Sequence, residues 1–77
     1  MATTYNLKNN KDYTDFYNLV IQSIKDENNF NDGFPVDELG QEIDTDYLWD
    51  EFGHLLDGKQ NGLGQQVFDE VLEYFRQ

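Results

Sequence analysis

The chain has no cysteine, one proline, one histidine and one tryptophan, and only five of its 77 residues carry a positive charge. Without cysteine there can be no disulfide, no thiolate zinc site and no thiol nucleophile. Small secreted domains are usually stapled, so an unstapled chain points to a reducing compartment, the cytoplasm. No apolar run reaches the roughly 18 residues of a membrane span. The opening "MATTYNLKNNKDYTDF" has no apolar core, so no signal peptide is expected there. A single histidine leaves little material for acid–base or metal chemistry.

Aromatic residues, in contrast, are plentiful. Six Phe, five Tyr and one Trp make up 16% of the chain, more than a disordered acidic chain carries. The length suits one domain with a thin core.

Charge of one sign dominates. Sixteen acids face five bases, a net charge of −11. Lys25 and Lys59 bracket residues 26–58, which hold eleven carboxylates and no Lys or Arg. The remaining five acids and five bases cancel, so the whole imbalance lies mid-chain. Nucleic acid and anionic membranes would be repelled by such a segment, and a basic protein would be attracted.

Hydrophobic spacing predicts an all-α fold: three main helices, one short helix and a flexible N-terminal arm. Residues 1–11 are polar and Asn-rich and read as the arm, or as a short edge strand at "TTYNL". Residues 12–77 form a single helical domain. Phe16, Val20 and Ile24 recur every fourth residue and predict a helix over 12–27, capped by Asp12 or Thr14. "NNFNDG" ends it. Pro35 suits the first position of a short helix over 35–42, with Val36, Leu39 and Ile43 facing inward. A third helix over 45–56, capped by Asp44 or Thr45, turns Leu48, Trp49, Phe52, Leu55 and Leu56 inward. It turns Asp46, Asp50 and Asp57 outward. "DGKQNGLG" breaks the chain before a last helix over about 63–76.

Two loops invite a calcium reading. An EF-hand needs oxygen ligands at positions 1, 3 and 5, Gly at 6 and Glu at 12. With Gly33 at the glycine position, Phe30 and Leu39 occupy ligand positions; with Gly62 there, Lys59 and Phe68 do. Neither side chain set can ligate, so these are ordinary turns and no metal or cofactor is expected. His54 reads as a helical surface residue. Ser23 sits mid-helix with no nucleophile elbow around it. Paired carboxylates such as Asp50 and Glu51 lack the cleft that glycoside chemistry needs. The chain is therefore not expected to be an enzyme.

The acidic segment can be a solvating surface. Three features argue for more. It has no cations at helical spacing to relieve repulsion, which costs stability. It runs across helices as well as loops, which gives it shape. Glu42, Asp46 and Asp50, followed by Asp57, recur at about one helical turn, 5–6 Å between neighbours. That spacing is of the same order as successive phosphates along a nucleic-acid strand. The partner-binding set expected on these grounds is Asp37, Glu38, Glu42, Asp44, Asp46, Asp50 and Glu51, with Tyr47 as an aromatic contact.

In overall character "DENNFNDGFPVDELGQEIDTDYLWDE" resembles the small acidic anti-defence proteins of phages and mobile elements, both anti-CRISPR proteins and DNA-mimicking antirestriction proteins. The resemblance implies a non-enzymatic inhibitor in the cytoplasm of a bacterial host cell. Its partner would be a basic nucleic-acid-handling protein or complex, whose nucleic-acid site it blocks by charge mimicry. "DYTDFYNLVIQSI" is also loosely similar to the first helix of bacteriocin immunity proteins, which inhibit nuclease toxins. Their Tyr-Tyr-Pro element is absent, and the third helix here begins "DTDYLWDE". A further reading puts the aromatics first. In it the chain is a regulatory or scaffold module, a homodimer included, that buries an apolar helix face in a protein–protein contact.

Overall fold

The computed structural model describes residues 4–57 and 61–77. Its elements follow the order α1 (Asn10–Glu27), β1 (Asn29–Asn31), β2 (Phe34–Val36), α2 (Thr45–Phe52), a 3-10 turn (Gly53–Leu55) and α3 (Asn61–Arg76). The expected all-α fold is thereby corrected: three helices pack with a two-stranded antiparallel hairpin.

The hairpin replaces the short helix expected over 35–42, and its cause is local. Asp32 and Gly33 both take positive φ, 54° and 83°. That is the two-residue turn that matches the twist of paired strands, and Asp-Gly is among its preferred sequences. It sets Asn31 opposite Phe34, Phe30 opposite Pro35 and Asn29 opposite Val36. Proline is tolerated because Phe30 and Pro35 form the non-hydrogen-bonded pair of the hairpin, so the ladder needs no N–H there, and its carbonyl accepts from the Ile43 backbone N–H at 3.3 Å. Burial follows the strand and not a helix: Phe34 and Val36 are buried, whereas Leu39, expected inside, is 84% exposed.

Helix α1 starts two residues before its expected position. Asn9 caps it, its side chain accepting from the Asp12 backbone N–H, so neither Asp12 nor Thr14 is the cap. Asp44 does cap α2, as expected, accepting from the Tyr47 backbone N–H at 3.0 Å. The α-helix there ends at Phe52 and continues as the 3-10 turn. Helix α3 begins at Asn61 and takes in Gly62 and Gly64, which the sequence places in the expected break; residues 58–60 of that break lie outside the described residues.

Of the segment expected as an arm, residues 1–3 also lie outside the described residues. Farther along it, Tyr5 donates to the Leu55 carbonyl at 2.8 Å and accepts from the Asp57 backbone N–H at 3.0 Å, a parallel bridge. Leu7 is buried to 3% exposure.

The core forms where α1 and α2 each meet α3. Phe16, Val20 and Ile24 from α1 pack with Leu48 from α2 and with Val67, Phe68 and Val71 from α3, all at 0% exposure. Phe68 is the hub: Phe16 lies 5.8 Å from it and Trp49 meets it edge-on at 5.0 Å, a favoured aromatic geometry. No helix among the described residues is long and apolar enough to cross a membrane.

Candidate functional site

The expected partner-binding residues fall into two groups. Asp37, Glu38, Tyr47 and Glu51 line a groove of about 480 Å³. Glu42, Asp44, Asp46 and Asp50 lie outside it. The groove runs between two helical stripes. Leu19, Ser23 and Glu27 follow one another at every fourth residue along α1; Tyr47, Glu51 and Leu55 do so along α2 and the 3-10 turn. The stripes are antiparallel, because Asn28, just past α1, meets Tyr47 near the start of α2: its Nδ2 donates to the Tyr47 hydroxyl at 3.1 Å. The same Nδ2 donates to the Val36 carbonyl at 3.1 Å, which fixes the hairpin across that end.

The two ends differ in chemistry. At one end Leu19 and Leu55 offer apolar surface. At the other, Glu27 stands near Asp37 and Glu38, and Glu51 lies between. Among the described residues no Lys or Arg lines the groove; His54 does, from the exposed side of the 3-10 turn. Among the described residues the carboxylates of Glu27, Glu38 and Glu51 have no hydrogen bond or ion pair, and the ion pair present is Lys11–Asp15 at 2.8 Å, away from the groove. Glu27, Ser23, Asn28 and Leu55 were not among the residues expected to bind. Their shared stripe becomes visible only when α1 and α2 are set side by side.

Three of the expected residues have work within the fold. The Asp37 carboxylate accepts from the Leu39 and Gln41 backbone N–H groups at 2.9 and 3.0 Å and holds the turn closed. Asp44 caps α2. Tyr47 is half-buried and tied to Asn28. Asp46 and Asp50, in contrast, are exposed on the outer side of α2, and among the described residues their carboxylates touch neither a cap nor a cation.

The regular ridge expected over Glu42, Asp46, Asp50 and Asp57 is not a single helical row. Glu42 precedes α2 and bridges Val36, and Asp57 follows the 3-10 turn. Asp46 and Asp50 alone of the four share a helix face. Among the described residues no three His, Asp or Glu side chains cluster closely enough to hold a metal ion.

No protein-family model, no curated protein and no solved structure matches this chain.

Proposed function

We propose that the chain is a non-enzymatic inhibitor that binds a basic, nucleic-acid-handling protein through its acidic middle and blocks the nucleic-acid site by charge mimicry. The observation that carries this reading is the set of carboxylates that neither caps nor pairs. Asp46 and Asp50 on the outside of α2, and Glu27, Glu38 and Glu51 around the groove, form no hydrogen bond or ion pair among the described residues. Unrelieved like charge lowers stability, so its concentration on one segment calls for a compensating use. A Lys/Arg-lined channel built for a phosphate backbone is a surface that fits it, and mutual attraction over that distance speeds association. The likeness in character to phage anti-defence proteins directs the search to bacterial defence effectors such as CRISPR complexes and restriction enzymes, with the chain acting inside the host cell.

The test is capture on immobilised protein followed by elution. A target held by mimicry is released by double-stranded DNA or guide RNA at physiological salt. It is not captured by an Asp46→Lys/Asp50→Lys/Glu51→Lys bait whose helicity by circular dichroism is unchanged. Capture that survives both the DNA wash and the charge reversal defeats the proposal.

One observation favours a second reading, the apolar interaction module. Leu39 at 84% and Phe30 at 42% are large hydrophobic residues left in solvent. Binding through them would be indifferent to salt, whereas mimicry weakens steeply from low to high salt.

A further inference from the structure

We infer that the groove between α1 and α2 is a docking site for a basic amphipathic segment of a partner protein, one in which an apolar side chain and a lysine or arginine lie one to two helical turns apart. The inference rests on the inhibitor reading and names what the partner presents to this part of the surface.

The argument starts from length. Leu19 to Glu27 spans eight residue steps of helix, about 12 Å at 1.5 Å per residue. The opposing stripe, Tyr47 to Leu55, is of similar length. A groove of this length and of about 480 Å³ accepts two or three side chains, not a whole domain face. Its chemistry is graded. Leu19 and Leu55, beside His54, bring apolar side chains to one end; Glu27, Asp37 and Glu38 bring carboxylates to the other, beside Val36 and Tyr47, with Glu51 midway.

Lysine and arginine match that gradient better than any compact cation. Their methylene stems cover apolar surface while the charged head reaches water or a carboxylate. A bare metal ion would leave the apolar end unused. A purely hydrophobic helix would leave carboxylates desolvated without partners, which is unfavourable. The groove is also pre-formed: Asn28 clamps the Tyr47 hydroxyl to the Val36 carbonyl, and Asp37 locks the turn that carries Glu38. Pre-organisation of this kind reduces the entropic cost of binding.

The test titrates isotope-labelled protein with a 15-residue peptide of leucine and lysine arranged to form an amphipathic helix. The control has the same composition with its leucines and lysines scrambled off any helical face. Saturable binding of the first peptide is expected, with the largest NMR shift changes at Leu19, Ser23, Glu51 and Leu55. Neutralising Glu27, Glu38 and Glu51 together to Gln weakens it at least ten-fold. An Asp46→Asn/Asp50→Asn variant, of nearly the same net charge but altered outside the groove, changes it less than three-fold. Ser23→Arg, which places a resident cation on the groove wall, blocks it. Equal binding of the scrambled peptide, shift changes centred on Asp46 and Asp50, or no saturation overturns the inference. The two proposals fail separately. Loss of groove binding with DNA-elutable capture intact refutes the groove alone; groove binding without DNA-elutable capture refutes the mimicry alone.

Discussion

Replacing Gly64 by alanine is expected to destabilise the protein, although the same change in a helix interior ordinarily gains about 1 kcal/mol. Gly64 is buried in α3 beneath the Trp49 indole. A Cβ at Gly64 would stand 2.3 Å from Cη2 and 2.7 Å from Cζ2 of that ring. Ordinary carbon contacts begin near 3.5 Å, so the ring must retreat by about 1 Å or swing out. Retreat is obstructed. Gly53 lies against the other part of the indole, where even a Cβ would come within 3.0 Å of Cε3, and Phe68 meets the ring edge-on at 5.0 Å. Overpacking of this kind costs about 1–3 kcal/mol, more if the indole is expelled. After the propensity gain the net loss is about 0–2 kcal/mol, toward the upper end for a contact this short, or up to roughly 15 °C in Tm for a domain of this size. Gly62, two residues earlier, has nothing within 4 Å of such a Cβ, so Gly62→Ala should raise Tm by a few degrees. The assay is thermal melting by circular dichroism, with fluorescence of the single tryptophan reporting the indole directly. Trp49→Phe shortens the ring and should make Gly64→Ala neutral or stabilising, a coupling visible in a double-mutant cycle. If Gly64→Ala melts at or above the wild type with unchanged Trp49 emission, the packing described around Phe68 is wrong.

Other perturbations separate the carboxylates and the tyrosines by role. Burial, followed by the hydrogen bond it donates to Glu70, pushes the Tyr13 hydroxyl up from 10.0 to about 12. The folded state thus holds that proton more tightly than the unfolded chain does. The stabilisation is complete below pH about 10 and is lost between about 10 and 12. Tyr13→Phe should cost about 0.5–1.5 kcal/mol at pH 7, with the gap to wild type closing over that window in denaturant melts. Asp44→Ala should cost about 1 kcal/mol by removing the cap of α2. Asp50→Ala, at an exposed site in the C-terminal half of the same helix, should fall within about 0.5 kcal/mol of wild type or above it.

The three long helices were legible because Phe16, Val20 and Ile24, and later Leu48 with Phe52 and Val67 with Val71, repeat at helical spacing. The hairpin was not. "FPV" is three residues long, too short for any period to declare itself, and Pro35 followed by Val36, Leu39 and Ile43 imitates a helix. The decisive signal was the Asp32–Gly33 pair, which was read as a generic turn although its two positive φ angles specify strand pairing on both sides. Gly64 misled for the opposite reason. Glycine breaks helices on propensity, but here the missing Cβ is what lets Trp49 lie against α3, and tertiary contact overrides the local cost. The site was half legible: composition marks which segment is acidic, but only the antiparallel placement of the two stripes brings Leu19, Ser23 and Glu27 across from Leu55, Glu51 and Tyr47.

That placement bears on how the acidic surface should be understood. If every carboxylate of residues 26–57 capped, paired or closed a turn, the charge would be a consequence of folding and would say nothing about a partner. Asp37 and Asp44 answer to that description. Asp46, Asp50, Glu38 and Glu51 do not: each is exposed, and none has a cap or ion pair among the described residues. Solubility alone would be served as well by acids interspersed with lysines, which also relieve repulsion at helical spacing. Here Lys25, at the border of the segment, and Arg76, at the end of α3, are turned to aromatic rings instead, Lys25 over Tyr74 at 5.0 Å and Arg76 over Phe34 at 5.3 Å. The protein thus places two of its few bases on rings and leaves the carboxylates of the groove and of the outer face of α2 uncompensated. Asp46 gains from the helix dipole at the start of α2, but the carboxylates of Asp50, Glu38 and Glu51 neither cap nor pair among the described residues, and charge left so is what a basic partner would meet.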